Sequence, residues 1–109
     1  MNNSITTDIR KLERYILNLP LAKKLNTLSR QQRDLMMDLR DSVADARKSI
    51  VLYSGSDDVE DQIKFLEDSI EQIKLVNDQI IIASQHDLLG VVDVAHLSAL
   101  AESIKERLQ

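Results

Sequence analysis

Two histidines are the most chemically versatile side chains in this sequence, and both lie in its last quarter. His96 follows Asp93 by three residues, so on a helix the two side chains would share a face and could bind a metal ion. Metal sites in helical bundles need several inward Glu residues together with Glu-x-x-His pairs, and the sequence has no such pair. We therefore interpret Asp93 as a helix N-cap and predict no metal site.

Ser84, His86 and Asp87 are the residue types of a hydrolytic triad. Their adjacency at the end of a helical pattern gives no reason to expect triad geometry, and no glycine elbow accompanies them. A phosphate-binding glycine loop is also missing from the sequence. The sequence therefore predicts a non-enzymatic protein with no catalytic residue, no cofactor and no small-molecule substrate.

Charged residues recur at intervals of seven in the middle of the chain. Arg33, Arg40 and Arg47 form one series, and the aspartates form two more, which are Asp34 with Asp41 and Asp38 with Asp45. On a helix, these series would lie as stripes on opposite flanks of the apolar seam. Complementary stripes could pair head-to-tail between subunits and close a ring. The alternative interpretation is a solvated charged face with weak local ion pairs.

The net charge of -4 is divided unevenly between the two halves of the chain. Residues 1–50 contain ten Lys and Arg against six Asp and Glu, whereas residues 51–109 contain four against twelve. Lys23, Lys24, Arg30 and Arg33 cluster around one connector, where they could contact phosphates. Electrostatic binding of nucleic acid needs several such contacts, and a ring of subunits would multiply them.

The elements that position these residues are predicted to be helices. The chain has only two Gly, one Pro and no Cys, and its apolar residues recur at helical spacing. Pro20 ends the first helix, Ser29 with Gln32 forms a capping box, and Asp57 with Glu60 forms a second. Gly90 is expected to cap the third helix at its C-terminus. The four helices are predicted to span about residues 5–19, 29–53, 58–85 and 94–108.

These helices predict an all-α fold, an antiparallel four-helix bundle with two long central helices and shorter first and last helices. A chain of 109 residues is expected to form a single domain, residues 1–109. The sequence has no apolar run near the roughly 20 residues that span a bilayer, and its start has no secretory signal. The prediction is a cytoplasmic protein without membrane contact.

The third helix carries apolar residues away from its main seam. Leu75 and Ile82 lie seven residues apart and, with Phe65 and Val76, make the helix apolar around more than half its girth. A helix that is apolar on two sides is usually buried on two sides. We therefore predict a homo-oligomer whose interface contains Phe65, Leu75, Val76 and Ile82.

The layout resembles a known family over roughly residues 9–108. The resemblance lies in Leu19-Pro20 before Lys23-Lys24, and in the helix that begins Leu28-Ser29-Arg30-Gln31-Gln32-Arg33. It continues through Phe65-Leu66, Ile70, Ile73, the run from Gln79 to Ala83, and Leu88-Leu89. In these features the chain is similar to the accessory variability determinant proteins of diversity-generating retroelements, and to the four-helix-bundle proteins encoded in 23S rRNA intervening sequences.

The resemblance implies a pentameric barrel with a basic surface that associates with a reverse transcriptase and its RNA or DNA. The resemblance adds Arg40 to the candidate binding residues, and the arginine stripe adds Arg47. The predicted nucleic-acid or partner-binding residues are then Lys23, Lys24, Arg30, Arg33, Arg40 and Arg47. The first hypothesis is thus a non-enzymatic homo-oligomeric scaffold of a nucleoprotein. The second is a protein-only adaptor or chaperone-like bundle of a mobile element or secretion-type system, binding a partner helix through Leu75 and Ile82.

Overall fold

The computed structural model describes the backbone of residues 3–109 and the side chains of residues 5–109. Residues 1 and 2 of the predicted domain lie outside the described residues. Within this range the chain forms four α-helices and no strand, which confirms the predicted all-α four-helix bundle. The helices are α1 (Asn3–Leu17), α2 (Arg30–Gly55), α3 (Val59–Gln85) and α4 (Val91–Leu108).

The two long central helices, α2 and α3, make the most extensive contact, and α1 and α4 pack against them and against each other. Thr6 near the start of α1 contacts Ser54 near the end of α2, and Asp8 contacts Arg107 near the end of α4. Neighbouring helices therefore run antiparallel. The bundle is elongated, with a longest dimension of 46 Å.

The core is built from apolar residues that recur every three or four positions on each helix. It includes Ile9 and Leu12 of α1, Leu39 of α2, and Ile73 and Ile80 of α3, all fully buried. From α4, the fully buried residues are Leu97, Ala101 and Ile104. Aliphatic side chains at this spacing bury one face of each helix, which supplies most of the stabilisation of a bundle.

The connector between α1 and α2 follows from Pro20. Leu19 has an extended backbone, as expected for a residue before proline, and Pro20 opens a short 3-10 turn, Pro20–Lys23. A second 3-10 turn, Leu25–Thr27, follows. α1 ends at Leu17, two residues before its predicted end, and the chain leaves it in a tighter turn in which the Leu19 N–H bonds the Ile16 carbonyl.

The predicted capping box at the start of α2 is confirmed. The Ser29 hydroxyl accepts a hydrogen bond from the Gln32 backbone N–H, and the Gln32 side chain accepts one from the Ser29 N–H. The second predicted box, at Asp57, is wrong by one residue. Asp58 is the N-cap of α3 and accepts from the Glu60 N–H at 2.9 Å.

Two predictions about the turn between α3 and α4 are also wrong. Asp87 closes α3 in the left-handed conformation, with a φ of 61°, while Leu88 N–H bonds the Ala83 carbonyl. Gly90 is therefore not the cap of α3 but the N-cap of α4. Asp93, predicted as that N-cap, is the third residue of the helix, where its carboxylate is free to contact α1.

Candidate nucleic-acid interface

The two carboxylates of α1 both contact arginines of other helices. Asp8 Oδ2 accepts a hydrogen bond from Arg107 Nη1 of α4, and Glu13 Oε1 lies 2.8 Å from Arg47 Nε of α2. These ion pairs fix α1 to both of its neighbours. They also leave α1 without an unpaired acidic side chain.

Three cations of α1 remain directed to solvent. Arg10, Lys11 and Arg14 are exposed, and none makes an ion pair with any residue in the described part of the chain. Helical spacing places them away from Ile9 and Leu12, which are fully buried. We call these three residues the α1 basic surface. Because both acids of α1 are paired elsewhere, its charge is purely positive.

One part of this surface borders a groove of about 280 Å³ between α1 and α2. The groove is lined by Arg10, Glu13, Arg14, Leu17 and Arg47. Three guanidinium groups thus surround a single carboxylate. Arg47 Nε is buried and contacts Glu13 as an ion pair without hydrogen-bond geometry. The groove carries an excess of positive charge that a phosphate could neutralise.

Four of the predicted binding residues lie around the connector. Lys23 and Lys24 follow Pro20, and Arg30 and Arg33 lie in the first turn of α2. All four are exposed, and none is in an ion pair with another described residue. We call them the connector cations. The positive end of the α2 dipole adds to their charge, which makes this edge attractive to anions.

The other two predicted residues differ from these in their surroundings. Arg40 is half-buried, with Nη1 3.8 Å from Met37 Sδ, and Arg47 is held by Glu13. Since Arg33, Arg40 and Arg47 are spaced by seven, they lie on the flank of α2 that faces α1. The arginine series therefore runs from the groove beside α1 toward the connector.

The aspartates of the predicted stripes face solvent, which suits the interpretation of a solvated charged face. Asp34, Asp38, Asp41 and Asp45 are all exposed. The flank of α2 opposite the arginines carries half-buried Leu35 and buried Ser42, whose hydroxyl donates to the Leu39 carbonyl. The pairing of charged stripes between subunits stays a prediction, since these carboxylates have no ion-pair partner in the described part of the chain.

The sequence pattern does not single out Arg10, Lys11 and Arg14 as members of the site. They belong to the positive charge of residues 1–50, but the sequence does not show that the acids of α1 pair with arginines of other helices. Their exposure could have been predicted, because Arg10 and Arg14 are four residues apart, on the side of α1 away from its apolar seam.

A separate cleft of about 460 Å³ lies between α1 and the start of α4, lined by Lys11, Arg14, Tyr15, Asn18, Leu19, Pro20 and Asp93. The Tyr15 hydroxyl donates to Asp93 Oδ1 at 2.7 Å, and its ring lies 4.4 Å from the His96 ring. The hydrogen bond to Asp93, with desolvation and the carboxylate charge, raises the pKa of Tyr15. These contacts give Asp93 and His96 a structural partner in Tyr15.

Among residues 5–109, no three His, Asp or Glu side chains come close enough together to hold a metal ion. Ser84, His86 and Asp87 occupy the last turn of α3 and the cap that follows it. Asp87 has a structural role there, because its left-handed backbone conformation ends the helix.

The four residues predicted at an oligomer interface do not share one environment. Val76 is fully buried in the core of this chain, so the prediction that it belongs to an oligomer interface is wrong. Phe65 and Ile82 are half-buried, and Leu75 is exposed. The apolar surface of α3 available to another molecule at these positions is thus smaller than expected.

The chain matches no model of a protein family, no curated protein and no solved structure. In the described part of the chain, no helix has the length and hydrophobicity needed to cross a membrane. Function must therefore be inferred from the geometry and charge of the bundle itself.

Proposed function

We propose that this protein is a non-catalytic scaffold that binds nucleic acid through the α1 basic surface and the connector cations. One observation carries the proposal. Asp8 and Glu13, the only acids of α1, are both paired with arginines of other helices, so Arg10, Lys11 and Arg14 face solvent without a partner carboxylate.

Nucleic acid is the polyanion that best suits this arrangement. A phosphate backbone carries closely spaced charges, and binding gains from each Lys or Arg that replaces a condensed counterion. Seven unpaired cations on adjoining elements, three on α1 and four around the connector, offer several such contacts. The chain has only one Phe, two Tyr and no Trp, so base stacking has few residues to use. We therefore expect binding to duplex DNA or structured RNA with little sequence preference.

The resemblance to retroelement accessory proteins supports a more specific version of the proposal. In that version, the nucleic acid is the RNA or DNA of a retroelement, and a reverse transcriptase is the protein partner. The bundle would hold the two together without taking part in the chemistry. Lys23, Lys24, Arg30, Arg33 and Arg40 would then belong to the nucleoprotein contact.

The same version includes self-association. Leu75 is 42% exposed and half-buried Ile82 lies seven residues further on α3, so both can contact a second subunit. A ring would bring several α1 basic surfaces onto one assembly and multiply the contacts with nucleic acid. Light scattering coupled to gel filtration tests this, and a monomer at micromolar concentration would contradict it.

Binding to nucleic acid is tested with two double variants that each lose two positive charges. Arg10→Gln/Arg14→Gln removes charge from the α1 basic surface, and Lys64→Gln/Lys74→Gln removes it from α3. Fluorescence anisotropy with a duplex and with a structured RNA should show affinity lower by about tenfold for the first variant at low salt. The second variant should bind like the wild type. Equal affinities for the two variants would contradict the proposed surface.

A protein-only adaptor is the second candidate, and a specific observation favours it. Val59 and Ile63 at the start of α3 are 67% and 53% exposed, which is unusual for residues that continue a core seam. If neither nucleic acid binds even at low salt, the adaptor becomes the better proposal.

A further inference from the structure

The first half of α3 extends beyond the end of α4. α3 has 27 residues and α4 has 18. Asn77 of α3 bonds Glu102 of α4, and Leu108 follows Glu102 by six residues on an antiparallel helix. By this contact the end of α4 is level with about residue 71 of α3, although the Arg107 side chain still reaches Asp8 of α1 toward that end. The first turns of α3, from Val59 onward, extend beyond α4.

The apolar pattern of α3 nevertheless continues into this uncovered stretch. We call Val59, Ile63, Leu66 and Ile70 the α3 seam, since they are spaced by four, three and four residues. Val59 is 67% exposed and Ile63 is 53% exposed, while Leu66 and Ile70 are only partly buried. Ile73, next along the helix, is fully buried. Apolar side chains at this spacing normally pack against a neighbouring helix. In the described part of this chain, no helix fully covers them.

The other helices at this end leave the corner beside α3 open. Thr6 near the start of α1 contacts Ser54 near the end of α2, and α2 joins α3 through a short turn. The three helices α1, α2 and α3 therefore meet at this end. The uncovered length of α3, residues 59–70, is about 18 Å at the rise of an α-helix. That length accommodates about three turns of an additional helix.

The charge around the α3 seam is strongly negative. Seven carboxylates and one lysine lie in this part of the chain, and all are exposed: Asp57, Asp58, Glu60, Asp61, Lys64, Glu67, Asp68 and Glu71. None is in an ion pair with any residue that the structure describes. Glu67 and Glu71 border a shallow depression of about 360 Å³ beside Ile70. An acidic partner would be repelled from this surface.

We propose that the α3 seam binds an amphipathic helix of another protein, with Lys and Arg beside its apolar stripe. The helix would occupy the corner that α4 leaves open. Its aliphatic side chains would cover Val59 and Ile63, and its cations would lie against Glu67 and Glu71. This is recognition of a helix in a groove, with electrostatics selecting a basic partner. The inference stands whether or not the protein binds nucleic acid.

A second copy of the chain is a poorer occupant. The basic helix of this protein is α1, whose apolar residues Ile9, Leu12 and Ile16 are already buried in its own core. The basic half of α2 likewise buries Met36 and Leu39. Neither helix can offer an apolar stripe to the α3 seam without unfolding the bundle that presents it.

The proposal is tested with a synthetic probe, a peptide of about five helical turns with leucines at helical spacing and lysines beside them. A matched peptide carries glutamates in place of the lysines. In methyl-labelled protein, the lysine peptide should shift the NMR signals of Ile63 and Ile70 with micromolar affinity. Ile81, which is 53% exposed outside the seam, should not shift. The glutamate peptide should not bind.

Two double variants then test whether peptide binding depends on the α3 seam or on exposed apolar side chains in general. Val59→Ser/Ile63→Ser should lower affinity for the lysine peptide by about tenfold or more, because two contacts with apolar side chains are lost. Ile81→Ser/Val92→Ser changes the same two residue types at exposed positions outside the seam and should bind like the wild type. Since all four residues are exposed, circular dichroism should show both variants folded.

Three results would overturn the proposal. The first is equal affinity of the two variants for the lysine peptide, and the second is equal binding of the two peptides. The third is a dimer of the wild-type protein that the Val59→Ser/Ile63→Ser variant dissociates, which would make the seam a contact between copies of this chain.

Discussion

Glu13 Oε1 lies 2.8 Å from Arg47 Nε, and this ion pair joins α1 to α2 at the edge of the basic groove. It has two consequences for the charge of the molecule. The pair removes the Glu13 carboxylate from the solvent side of α1, and it occupies one of the three arginines that line the groove. The groove therefore carries less positive charge than its arginines alone would give.

Replacing Glu13 should strengthen nucleic-acid binding. Glu13→Gln removes the only carboxylate of the groove and frees Arg47 to contact a phosphate. We expect affinity for duplex DNA to rise several-fold and the slope of log K against log salt to steepen by about 1. Anisotropy titrations at several salt concentrations measure both quantities.

Glu106→Gln is the control for this prediction, since Glu106 is exposed on α4 and does not line the groove. It removes the same charge from the protein at a different place. If Glu13→Gln and Glu106→Gln change the affinity for nucleic acid equally, the change comes from net charge alone, and the groove has no particular role in binding.

The contact between Tyr15 and Asp93 predicts a dependence of stability on alkaline pH. The pKa of Tyr15 is raised from 10.0 because its protonated hydroxyl donates to the Asp93 carboxylate. The stability that this contact contributes is fully present below about pH 10 and is lost as pH rises through the higher folded-state pKa. The difference in melting temperature between wild type and Tyr15→Phe should thus be constant from pH 7 to pH 9 and should shrink above pH 10. A difference unchanged through pH 11 would contradict this account.

The N-cap of α3 can be tested with two neighbouring aspartates. Asp58→Ala removes the acceptor of the Glu60 N–H and should lower the free energy of unfolding by about 1 kcal/mol. Asp57→Ala removes the same type of side chain one residue earlier and should change that free energy by less than about 0.5 kcal/mol. Urea denaturation measures both values. A larger loss of unfolding free energy for Asp57→Ala than for Asp58→Ala would mean that Asp57 is the N-cap, as the sequence pattern indicated.

Adjacent positions on α3 should respond differently to truncation. Val76→Ala removes two methyl groups from a fully buried position and should lower the free energy of unfolding by about 2 kcal/mol. Leu75→Ala truncates a side chain that is 42% exposed and should cost clearly less in the isolated subunit. If Leu75→Ala costs as much as Val76→Ala and the loss depends on protein concentration, Leu75 is buried between subunits.

The fold could be predicted from sequence because helical spacing of apolar residues is a local pattern. Ile9, Leu12 and Ile16 in α1, and Leu97 and Ile104 in α4, repeat at helical intervals and are buried as expected. Helix ends were harder to predict because a cap depends on one side chain among several similar ones. Asp57 and Asp58 both suit an N-cap, and only backbone geometry selects Asp58.

The candidate site could be predicted only in part, because it depends on contacts between residues far apart in the chain. The basic character of Lys23, Lys24 and Arg33 is visible in the sequence. The pairing of Asp8 with Arg107 and of Glu13 with Arg47 is not, since it depends on which helices are neighbours. The burial of Val76 likewise follows from the rotation of α3 against the other helices. The uncovered α3 seam follows from the different lengths of α3 and α4.

The measurement that tests the proposed function most directly is the salt dependence of nucleic-acid binding by the unmodified protein. Anisotropy titrations with a duplex and a structured RNA across a series of salt concentrations would give the slope of log K. With at least four of the seven unpaired cations in contact with phosphates, we predict a slope of about -3.6 or steeper for the duplex. Undetectable binding to both nucleic acids at the lowest salt concentration would contradict the account.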